Sequence, residues 1–303
     1  MSLNGGSPAS GGSGSDAGAT SGPDAGVAEL VRRALAEDLG DGDWTTLWTV
    51  DGDLERDAVI VAKEALMVSG TRAAVEVFRA VDPDLSVLVD LADGASARPG
   101  DTVLSLSGKA RSILTAERTA LNFLGRLSGI ATATRRFAQA VEGTGARIID
   151  TRKTTPGLRL LEKEAVRHGG GTNHRVGLFD MVLIKDNHIA AAGGIREAVD
   201  RVRASNERNL EVEVEVTDLD QLSQALDCGV GRILLDNMDP EGLRRAVAAV
   251  EAWSGLRPVL EASGNVTLAT VRAVAETGVD LISVGALTHS APTADLSLRI
   301  SLG

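Results

Sequence analysis

The sequence predicts an α/β protein in which a mixed α+β unit is followed by a parallel sheet made of repeated strand–helix steps. Two observations predict this class. From Arg147 onward, short apolar runs of strand length alternate with amphipathic helical stretches, which is typical of β/α units. Before that point, several strand-like runs surround one helical stretch, which is typical of an α+β unit. The alternation fits a doubly wound sheet or a barrel equally well.

Composition places the chain among ordinary globular proteins. Hydrophobic residues make up 43% and charged residues 24% of the 303 residues, so a chain disordered throughout is excluded. Charged residues interrupt every apolar run, and we predict no membrane span. The net charge of −11 argues against a nucleic-acid partner bound through a broad basic surface. The single cysteine, Cys228, excludes an internal disulfide and suits a reducing compartment, so we expect a cytoplasmic protein.

The first 26 residues are mostly glycine, serine and alanine. Such a segment cannot bury enough apolar surface to offset the entropy lost on ordering, and we predict a disordered tail over residues 1–26. Regular structure is expected from Val27, because Val27, Leu30 and Leu35 share one helical face.

An N-terminal domain is predicted over residues 27–128. Its strand-like runs lie at residues 58–62, 66–69, 85–91 and 102–106, with one helix over 71–81. A longer helical pattern covers residues 112–142, and Gly129 is the candidate break within it. We therefore assign a second domain to residues 129–288 and expect the C-terminal segment 289–303 to pack back on the first domain.

Six strands are predicted in the second domain, because six apolar runs alternate with helical stretches. The runs lie at residues 147–149, 182–184, 212–216, 233–235, 259–260 and 281–284. Two helix starts support the pattern: Thr155 precedes Pro156, and Asp239 precedes Pro240, each pair suited to an N-cap followed by the first helical residue. The carboxyl ends of these strands should meet at one face of the sheet.

Cationic side chains follow the first two of these strands. Arg152 and Lys153 come after the first strand, Lys185 follows the second, and Arg175 lies in the connection between them. Like charges this close repel, so a bound anion or buried carboxylates must compensate. Three of the five lysines in the chain fall between residues 153 and 185, which weakly favours a need for compact ammonium groups in this region.

Carboxylates and glycines follow the later strands. Glu215 lies in an alternating run of glutamate and valine, and Asp236 follows the next apolar run. Together they could bind sugar hydroxyls or a divalent cation through oxygen, and structural ion pairing remains the alternative. Gly264 and Gly285 follow the last two strands, where backbone N–H groups often bind phosphate. The residues alone predict an anion-binding α/β enzyme, and sugar-phosphate transfer fits best.

Longer motifs in the chain resemble the quinolinate phosphoribosyltransferase family. In family order, the matching segments are residues 116–122 (AERTALN), 151–159 (TRKTTPGLR), 169–175 (GGGTNHR), 183–188 (LIKDNH), 213–215 (EVE), 234–237 (LLDN), 261–264 (EASG) and 283–290 (SVGALTHS). The resemblance covers residues 27–303. It implies an incomplete, open β/α barrel with an N-terminal α/β sandwich domain.

The resemblance also implies a reaction. Quinolinate and phosphoribosyl pyrophosphate would give nicotinate mononucleotide, pyrophosphate and CO₂, with Mg²⁺ as cofactor, in de novo NAD biosynthesis. The enzyme would be a homodimer in which Arg118 reaches the neighbouring subunit's site.

Site roles follow from the resemblance position by position. The quinolinate-binding residues would be Arg118, Arg152, His174, Arg175 and Lys185. Those that bind phosphoribosyl pyrophosphate would be Lys153, Glu215, Asp236, Ser263, Gly264, Gly285 and Ala286. The catalytic residues would be Lys153, Lys185, Glu215 and Asp236. Of these, Glu215 and Asp236 would also hold Mg²⁺, partly through water or substrate.

Two other functions stay open at this stage. A relative of the same fold acting on another acceptor, such as the molybdenum-associated relatives, would need fewer arginines for a monocarboxylate. A non-catalytic protein is the second alternative. A lipoyl-type carrier would need a modifiable lysine in a hairpin near the turn at residues 99–101, and none is found there. An enzyme retired to a structural role would have lost Lys153, Glu215 or Asp236, and all three are present. The chain departs from the family at position 164, which is Glu where the family often has an aromatic residue. Because Glu164 follows Lys163, we assign no substrate contact to Lys163.

Overall fold

The computed structural model describes residues 23–301, so residues 1–22 of the predicted tail lie outside the described residues. The chain up to residue 140 forms these elements in order: α1 (Pro23–Leu39), α2 (Trp44–Thr49), β1 (Glu55–Ala62), β2 (Leu66–Met67), α3 (Thr71–Val81), β3 (Ser86–Val89), β4 (Ser96–Ala97), β5 (Thr102–Lys109) and α4 (Ala110–Ala140).

The rest of the chain alternates strands and helices. Its elements are β6 (Arg147–Ile149), α5 (Arg159–His168), β7 (Val182–Ile184), α6 (Asp186–Ala192), α7 (Ile195–Ser205), β8 (Val212–Val216), α8 (Leu219–Asp227), β9 (Arg232–Asp236), α9 (Pro240–Glu251), β10 (Val259–Ser263), α10 (Val271–Ala275), β11 (Leu281–Ser283), α11 (Ala286–His289) and β12 (Leu296–Ile300). Within residues 23–301, none of the helices combines the length and the apolar character needed to span a membrane.

The first sheet is antiparallel, with strand order β12-β1-β5-β3. Strand β12 comes from the far end of the chain and pairs with β1, with Ala58 opposite Ile300. Helices α3 and α4 pack against each other beside this sheet. Four side chains from β1, α3, β5 and α4 are completely buried, so this unit has its own apolar core. They are, in that order, Ile60, Phe78, Leu104 and Ile113.

The second sheet is parallel, with strand order β6-β11-β10-β9-β8-β7. Consecutive strands from β7 to β11 are neighbours, and β6 closes round onto β11, which is the order of a β/α barrel rather than of a doubly wound sheet. Among the described strands, β6 and β7 do not pair with each other, so the barrel is open there. The predicted fold class, an open β/α barrel with an N-terminal α/β domain, is confirmed.

Helix α4 is continuous through Gly129, so the predicted break there is wrong. A Cβ atom at Gly129 would lie 1.9 Å from the carbonyl oxygen of Pro292. The glycine therefore permits the segment leading to β12 to cross the helix closely, and the helix itself spans the predicted boundary at residues 128 and 129.

Two predicted helix starts are wrong. Helix α1 begins at Pro23, so the last four residues of the predicted tail belong to a helix, where proline is tolerated in the first turn. Helix α5 begins at Arg159 rather than Pro156. The N–H and hydroxyl of Thr155 both donate to Glu162, at 3.1 and 2.8 Å, which holds the residues before α5 in a non-helical turn. The N-cap at Asp239 is confirmed, because its carboxylate accepts the Gly242 N–H at 2.7 Å.

Candidate active site

A pocket of about 400 Å³ lies at the carboxyl ends of the barrel strands. Among the predicted site residues, those that line it are Arg152, Lys153, His174, Arg175, Lys185, Glu215, Asp236 and Ser263. The β/α topology explains this convergence, because the residues that follow parallel strands all emerge at one face.

Four predicted residues lie outside this lining. Gly264 directly follows β10, Gly285 lies between β11 and α11, and Ala286 begins α11, at the same end of the barrel as the lining residue Ser263. Arg118 lies on an exposed face of α4 and is not a lining residue of this pocket.

Two guanidinium groups share one side of the pocket. The Nε atom of Arg152 is buried and has no hydrogen-bond partner among residues 26–301. Arg175 donates from Nη1 to the carbonyl oxygen of Met181 at 3.1 Å. Burial lowers the pKa of Arg175, and the positive charge of Arg152 lowers it further. An anionic ligand would relieve this repulsion and supply a partner for Arg152.

The pocket rim, which we define as Lys153, Lys185, Glu215 and Asp236, carries charges of both signs. Lys185 Nζ donates to Glu215 Oε2 at 2.8 Å. Asp236 ends β9, the strand beside β8, and its Oδ2 accepts from Asn237 Nδ2 at 2.7 Å. Glu215 and Asp236 are both partly exposed and offer oxygen atoms on neighbouring strands. Such a donor set suits Mg²⁺, which prefers one or two carboxylates together with water and phosphate oxygens.

The loops after β10 and β11 come close to other parts of the rim. Gly264 has a φ of +116°, and a Cβ atom there would lie 2.4 Å from Asn237 Oδ1. The hydroxyl of Thr288, in α11, donates to the carbonyl oxygen of Lys153 at 2.7 Å, which ties the Lys153 loop to the segment that follows Gly285. Exposed backbone in this tight arrangement suits a phosphate group.

Beneath the rim lies a buried cluster that we call the floor: His174, Glu213, Arg232 and Glu261. Arg232 Nε lies 2.9 Å from Glu213 Oε1, and its Nη2 pairs with Glu261. His174 Nε2 lies 3.0 Å from Glu213 Oε2 and 3.5 Å from Glu261 Oε2. Glu213 and Glu261 are completely buried, so their charges depend on these partners.

The hydrogen bonds of His174 define its protonation state. Its Nδ1 accepts the backbone N–H of Arg175 at 2.6 Å, so the proton of the neutral ring lies on Nε2 and faces Glu213. Burial lowers the pKa of His174, which favours this neutral form. Both ring nitrogens are therefore engaged by the protein, although the ring edge lines the pocket.

Glu261 is the floor carboxyl that holds a proton most readily. Burial, followed by the charge of Glu213, raises its pKa to about 7. Burial also raises the pKa of Glu213, while the charge of Arg232 opposes that rise. The two carboxyls therefore share the positive charge of one guanidinium and one proton near neutral pH.

Five residues beneath the rim were not among the predicted site residues: Asp150, Lys163, Glu213, Arg232 and Glu261. Glu213 shares the polar face of the alternating run with Glu215, and Glu261 lies in a segment that matches the family, so both carried a signal. A signal was also available for Arg232, because residues 232, 234 and 236 share one face of β9 and Asp236 was already a candidate. Lys163 gave no such signal in its local pattern, since it lies in the middle of a helix and lysine is almost always exposed. Only the family resemblance had drawn attention to it, beside Glu164.

The comparison with family models matches both parts of the chain. The model of the quinolinate phosphoribosyl transferase N-terminal domain matches residues 43–128, and that of the C-terminal domain matches residues 130–299.

Individual proteins with a similar sequence or structure cover most of the chain. A protein of Synechocystis named probable nicotinate-nucleotide pyrophosphorylase (carboxylating) is 44% identical over 267 residues, covering 88% of this chain and 90% of its own. The chloroplastic nicotinate-nucleotide pyrophosphorylase (carboxylating) of Arabidopsis thaliana is 46% identical over 290 residues, covering 89% and 82%. The solved structure of the nicotinate-nucleotide pyrophosphorylase of Francisella tularensis superposes with a TM-score of 0.88 at 41% identity, covering 92% of this chain and 97% of that one.

Proposed function

The chain belongs to the quinolinate phosphoribosyltransferase family, and from this membership we propose the reaction of its pocket. The enzyme is a decarboxylating pentosyltransferase that converts quinolinate and phosphoribosyl pyrophosphate to nicotinate mononucleotide, pyrophosphate and CO₂, a step of NAD biosynthesis. One observation carries the assignment to this pocket: two guanidinium groups, two ammonium groups and the two rim carboxylates converge at the carboxyl ends of the barrel strands.

Quinolinate carries two adjacent carboxylates on an aromatic ring, and the pocket has matching donors. In the proposed complex Arg152 and Arg175 bind these carboxylates, with Lys185 nearby and the His174 ring against the substrate. The unpartnered Nε of Arg152 supports this assignment, because a buried guanidinium nitrogen without an acceptor is costly until a carboxylate reaches it.

The sugar phosphate occupies the other side of the pocket in this proposal. Lys153 contacts phosphoribosyl pyrophosphate, and Ser263, Gly264, Gly285 and Ala286 surround the 5-phosphate. The close approach of the Gly264 loop to Asn237 supports it, since such a turn leaves backbone N–H groups free to face an anion. Glu215 and Asp236 bind the ribose hydroxyls.

Mg²⁺ fits the same two carboxylates. Glu215 and Asp236 provide oxygen ligands at the rim, where the remaining positions are open to water and to phosphate oxygens. When bound, Mg²⁺ would neutralise part of the charge of the pyrophosphate group. Lys185 Nζ lies 2.8 Å from Glu215 Oε2, which holds this carboxylate at the rim.

In the proposed mechanism the ring nitrogen of quinolinate attacks the anomeric carbon as pyrophosphate departs. Positive charge builds on the sugar, and the carboxylates of Glu215 and Asp236 stabilise it. The bond between ring carbon 2 and its carboxylate then breaks, CO₂ leaves, and the electron pair remains beside the cationic ring nitrogen until the carbon is protonated. No general base is required, because the attacking nitrogen already has a free lone pair.

We extend the proposal to a homodimer in which Arg118 reaches the site of the neighbouring subunit. Its exposed position on α4, outside the pocket of its own chain, supports a role in a neighbouring site. A cleft of about 530 Å³ beside it, lined by Asn122 and Arg126 of α4, offers a surface that a second copy would cover. We also keep the cytoplasm as the proposed compartment, which the single cysteine supports.

The test supplies the purified protein with quinolinate, phosphoribosyl pyrophosphate and Mg²⁺, and follows nicotinate mononucleotide and CO₂ together. Nicotinic acid replaces quinolinate in a parallel assay. We expect product from quinolinate and none from nicotinic acid, because one carboxylate cannot satisfy both arginines. Absence of product from folded protein would contradict the proposal, and product from nicotinic acid at an equal rate would contradict the two-carboxylate site.

A further inference from the structure

The loops that carry Arg152 and Arg175 are held together against the repulsion of their own side chains. Asp150 ends the segment from β6 and directly precedes the Arg152 loop, while residues 173 and 174 directly precede Arg175. The charge of Arg152 depresses the pKa of Arg175, which shows that the two cations interact. Without a restraint, these loops would relax apart whenever no anion lies between them.

One side of that restraint is a buried ion pair behind the pocket. Lys163 Nζ lies 2.5 Å from Asp150 Oδ1 and also donates to the carbonyl oxygen of His174 at 3.0 Å. Asp150 accepts the His174 N–H on the same oxygen at 2.8 Å. On its other oxygen, Asp150 accepts from Asn173 Nδ2 at 2.7 Å. Both backbone polar groups of His174 are thus bound by these two charged side chains.

The same helix provides a second contact one turn earlier. Arg159 donates from Nε to the hydroxyl of Thr154 at 2.9 Å and from Nη1 to the carbonyl oxygen of Val176 at 3.1 Å. Thr154 belongs to the Arg152 loop and Val176 to the Arg175 loop. Because positions four apart lie on one face of a helix, Lys163 and Arg159 contact both loops from the same side of α5.

Lys163 and Arg159 are not lining residues of the pocket. Asp150 and Lys163 are 0% and 1% exposed, so the pair is shielded from solvent. Burial raises the pKa of the Asp150 carboxyl and lowers the pKa of the Lys163 ammonium, and each charge opposes the shift of the other. A buried ion pair is costly to assemble and is weak support for stability alone, which leaves the question of what it does.

We propose that Lys163 and Arg159 are positioning residues for quinolinate: through Asp150, Thr154 and the backbone of the Arg175 loop, they hold Arg152 and Arg175 at the spacing that two adjacent carboxylates require. The inference rests on the proposed function for the identity of the ligand. It assigns Lys163 a role behind the pocket rather than in contact with substrate.

The consequence is selective. Loss of the restraint lets the two arginine loops separate, so binding of the dicarboxylate weakens. The phosphoribosyl pyrophosphate side of the pocket depends on Lys153, Glu215, Asp236, Ser263 and the loops after β10 and β11. Of these, only Lys153 lies in a loop that Arg159 contacts, through the neighbouring Thr154. The hydroxyl of Thr288 in α11 separately holds the carbonyl oxygen of Lys153, at 2.7 Å. The KM for quinolinate should therefore rise while the KM for phosphoribosyl pyrophosphate does not.

The test compares Lys163→Met and Arg159→Met with the wild type. Methionine keeps most of the length of each side chain and removes the charge. We expect the KM for quinolinate to rise ~10- to 100-fold in Lys163→Met, and by a smaller factor in Arg159→Met, because small misplacements of binding groups have effects of this size. The KM for phosphoribosyl pyrophosphate should stay within ~2-fold in both variants, since Thr288 holds the backbone of Lys153 independently of Lys163 and Arg159.

Glu164→Gln is the matched control. Glu164 neighbours Lys163 on α5, and its two carboxylate oxygens both accept from Arg72 of α3, at 3.0 Å, on the far side from the arginine loops. Its loss removes an ion pair from the same helix without touching either loop, so the KM for quinolinate should match the wild type.

Calorimetric titration with phthalate separates this inference from the proposed reaction. Phthalate has two adjacent carboxylates on an aromatic ring but no ring nitrogen to react. If the wild type binds phthalate and forms no nicotinate mononucleotide, the proposed function fails while weaker phthalate binding by the variants still supports the positioning role. Equal phthalate affinity and equal quinolinate KM in folded Lys163→Met and wild type would overturn the positioning role. So would a parallel change in kcat and in the KM values for quinolinate and for phosphoribosyl pyrophosphate.

If Lys163→Met does not fold, Arg159→Met, which replaces a partly exposed side chain, decides by the same criteria.

Discussion

The rim and the floor of the pocket use the same kinds of charged residue in opposite surroundings. At the rim, the Lys185 side chain is 46% exposed and its partner Glu215 is 11% exposed. In the floor, the side chains of Glu213 and Glu261 are at most 1% exposed and share Arg232. Rim charges can exchange a protein partner for water or substrate, whereas floor charges cannot. We therefore expect substitutions at the rim to change activity and substitutions in the floor to change stability.

The largest expected effect is on stability, from Arg232→Met. The substitution leaves Glu213 and Glu261 buried without their cation, and removing one partner of a buried ion pair costs ~3–5 kcal/mol. Urea unfolding, at equal protein concentration because we propose a dimer, measures this loss of free energy. A loss below ~1 kcal/mol, the size typical of an exposed pair, would break the distinction between floor and rim.

The next effect is on activity, from Arg152→Ala. Removing a guanidinium that binds a desolvated carboxylate should lower kcat/KM for quinolinate by ~30- to 1,000-fold, the equivalent of ~2–4 kcal/mol. Stability should not fall, because the change also removes repulsion with Arg175. Steady-state kinetics and urea unfolding check the two halves of this expectation. A loss of unfolding free energy as large as the loss in kcat/KM would show that Arg152 stabilises the fold as the floor residues do.

The pH dependence of stability tests the floor more finely. The pKa of Glu261 is raised from 4.5 in the unfolded chain to about 7 in the folded protein. Between these values the folded protein holds a proton that the unfolded chain has lost, so this contribution to stability is full below pH 4.5 and declines as the pH rises toward 7. The slope is at most ~1.4 kcal/mol per pH unit for one proton.

Glu261→Gln isolates that contribution, because it removes the titrating proton and keeps the shape of the side chain. The lowered pKa of His174 acts in the opposite direction, with stability rising as the pH approaches 6.5. The charge of Glu261 opposes that lowering, so the variant gains more stability from His174 as the pH rises, which adds to the expected difference. Urea midpoints at pH 5, 6, 7 and 8 should therefore show the wild type losing stability relative to the variant as the pH rises. Parallel curves would contradict a protonated Glu261 in the floor.

The smallest expected effect is on stability, from Lys185→Met at the rim. Its ion pair with Glu215 is half open to solvent on the lysine side, so the free energy of unfolding should change by ~0–1 kcal/mol. Activity with quinolinate should fall, because Lys185 lines the pocket. Thermal unfolding measures the change in stability and the assay with quinolinate measures the loss of activity. A large loss of stability would show that the ion pair at the rim stabilises the fold as the buried floor pairs do.

The same contrast explains how much the sequence could predict. Strands β6, β7 and β8 begin and end where their apolar runs do, and the rim follows from reading the residues at and just beyond the carboxyl end of each strand. The floor residues depend on which strands become neighbours: Arg232 meets Glu213 only because β8 and β9 pair in that register. No local pattern encodes that pairing.

Helices gave the clearest errors, and each has a tertiary or side-chain cause. Helix α2 was missed because it has six residues and little periodicity, and it starts where Asp43 caps the Thr46 N–H at 3.0 Å. Gly129 suggested a break because glycine disfavours helix, but its role is the crossing of the Pro292 backbone. The ion pair of Lys163 could not be predicted, since its partner Asp150 is brought to it only by the folded barrel.

The pairing of β12 with β1 has a consequence for how the protein is made. Residues 55–62 leave the ribosome long before residues 296–300, and the contact between Glu64 and Asp295 joins positions 231 apart. At ~5–20 residues per second, translation leaves this edge of β1 without its neighbour for roughly 10–50 s. An unpaired strand edge invites association with other chains. The nascent N-terminal sheet is therefore the expected point of chaperone contact, until the last strand emerges and completes it.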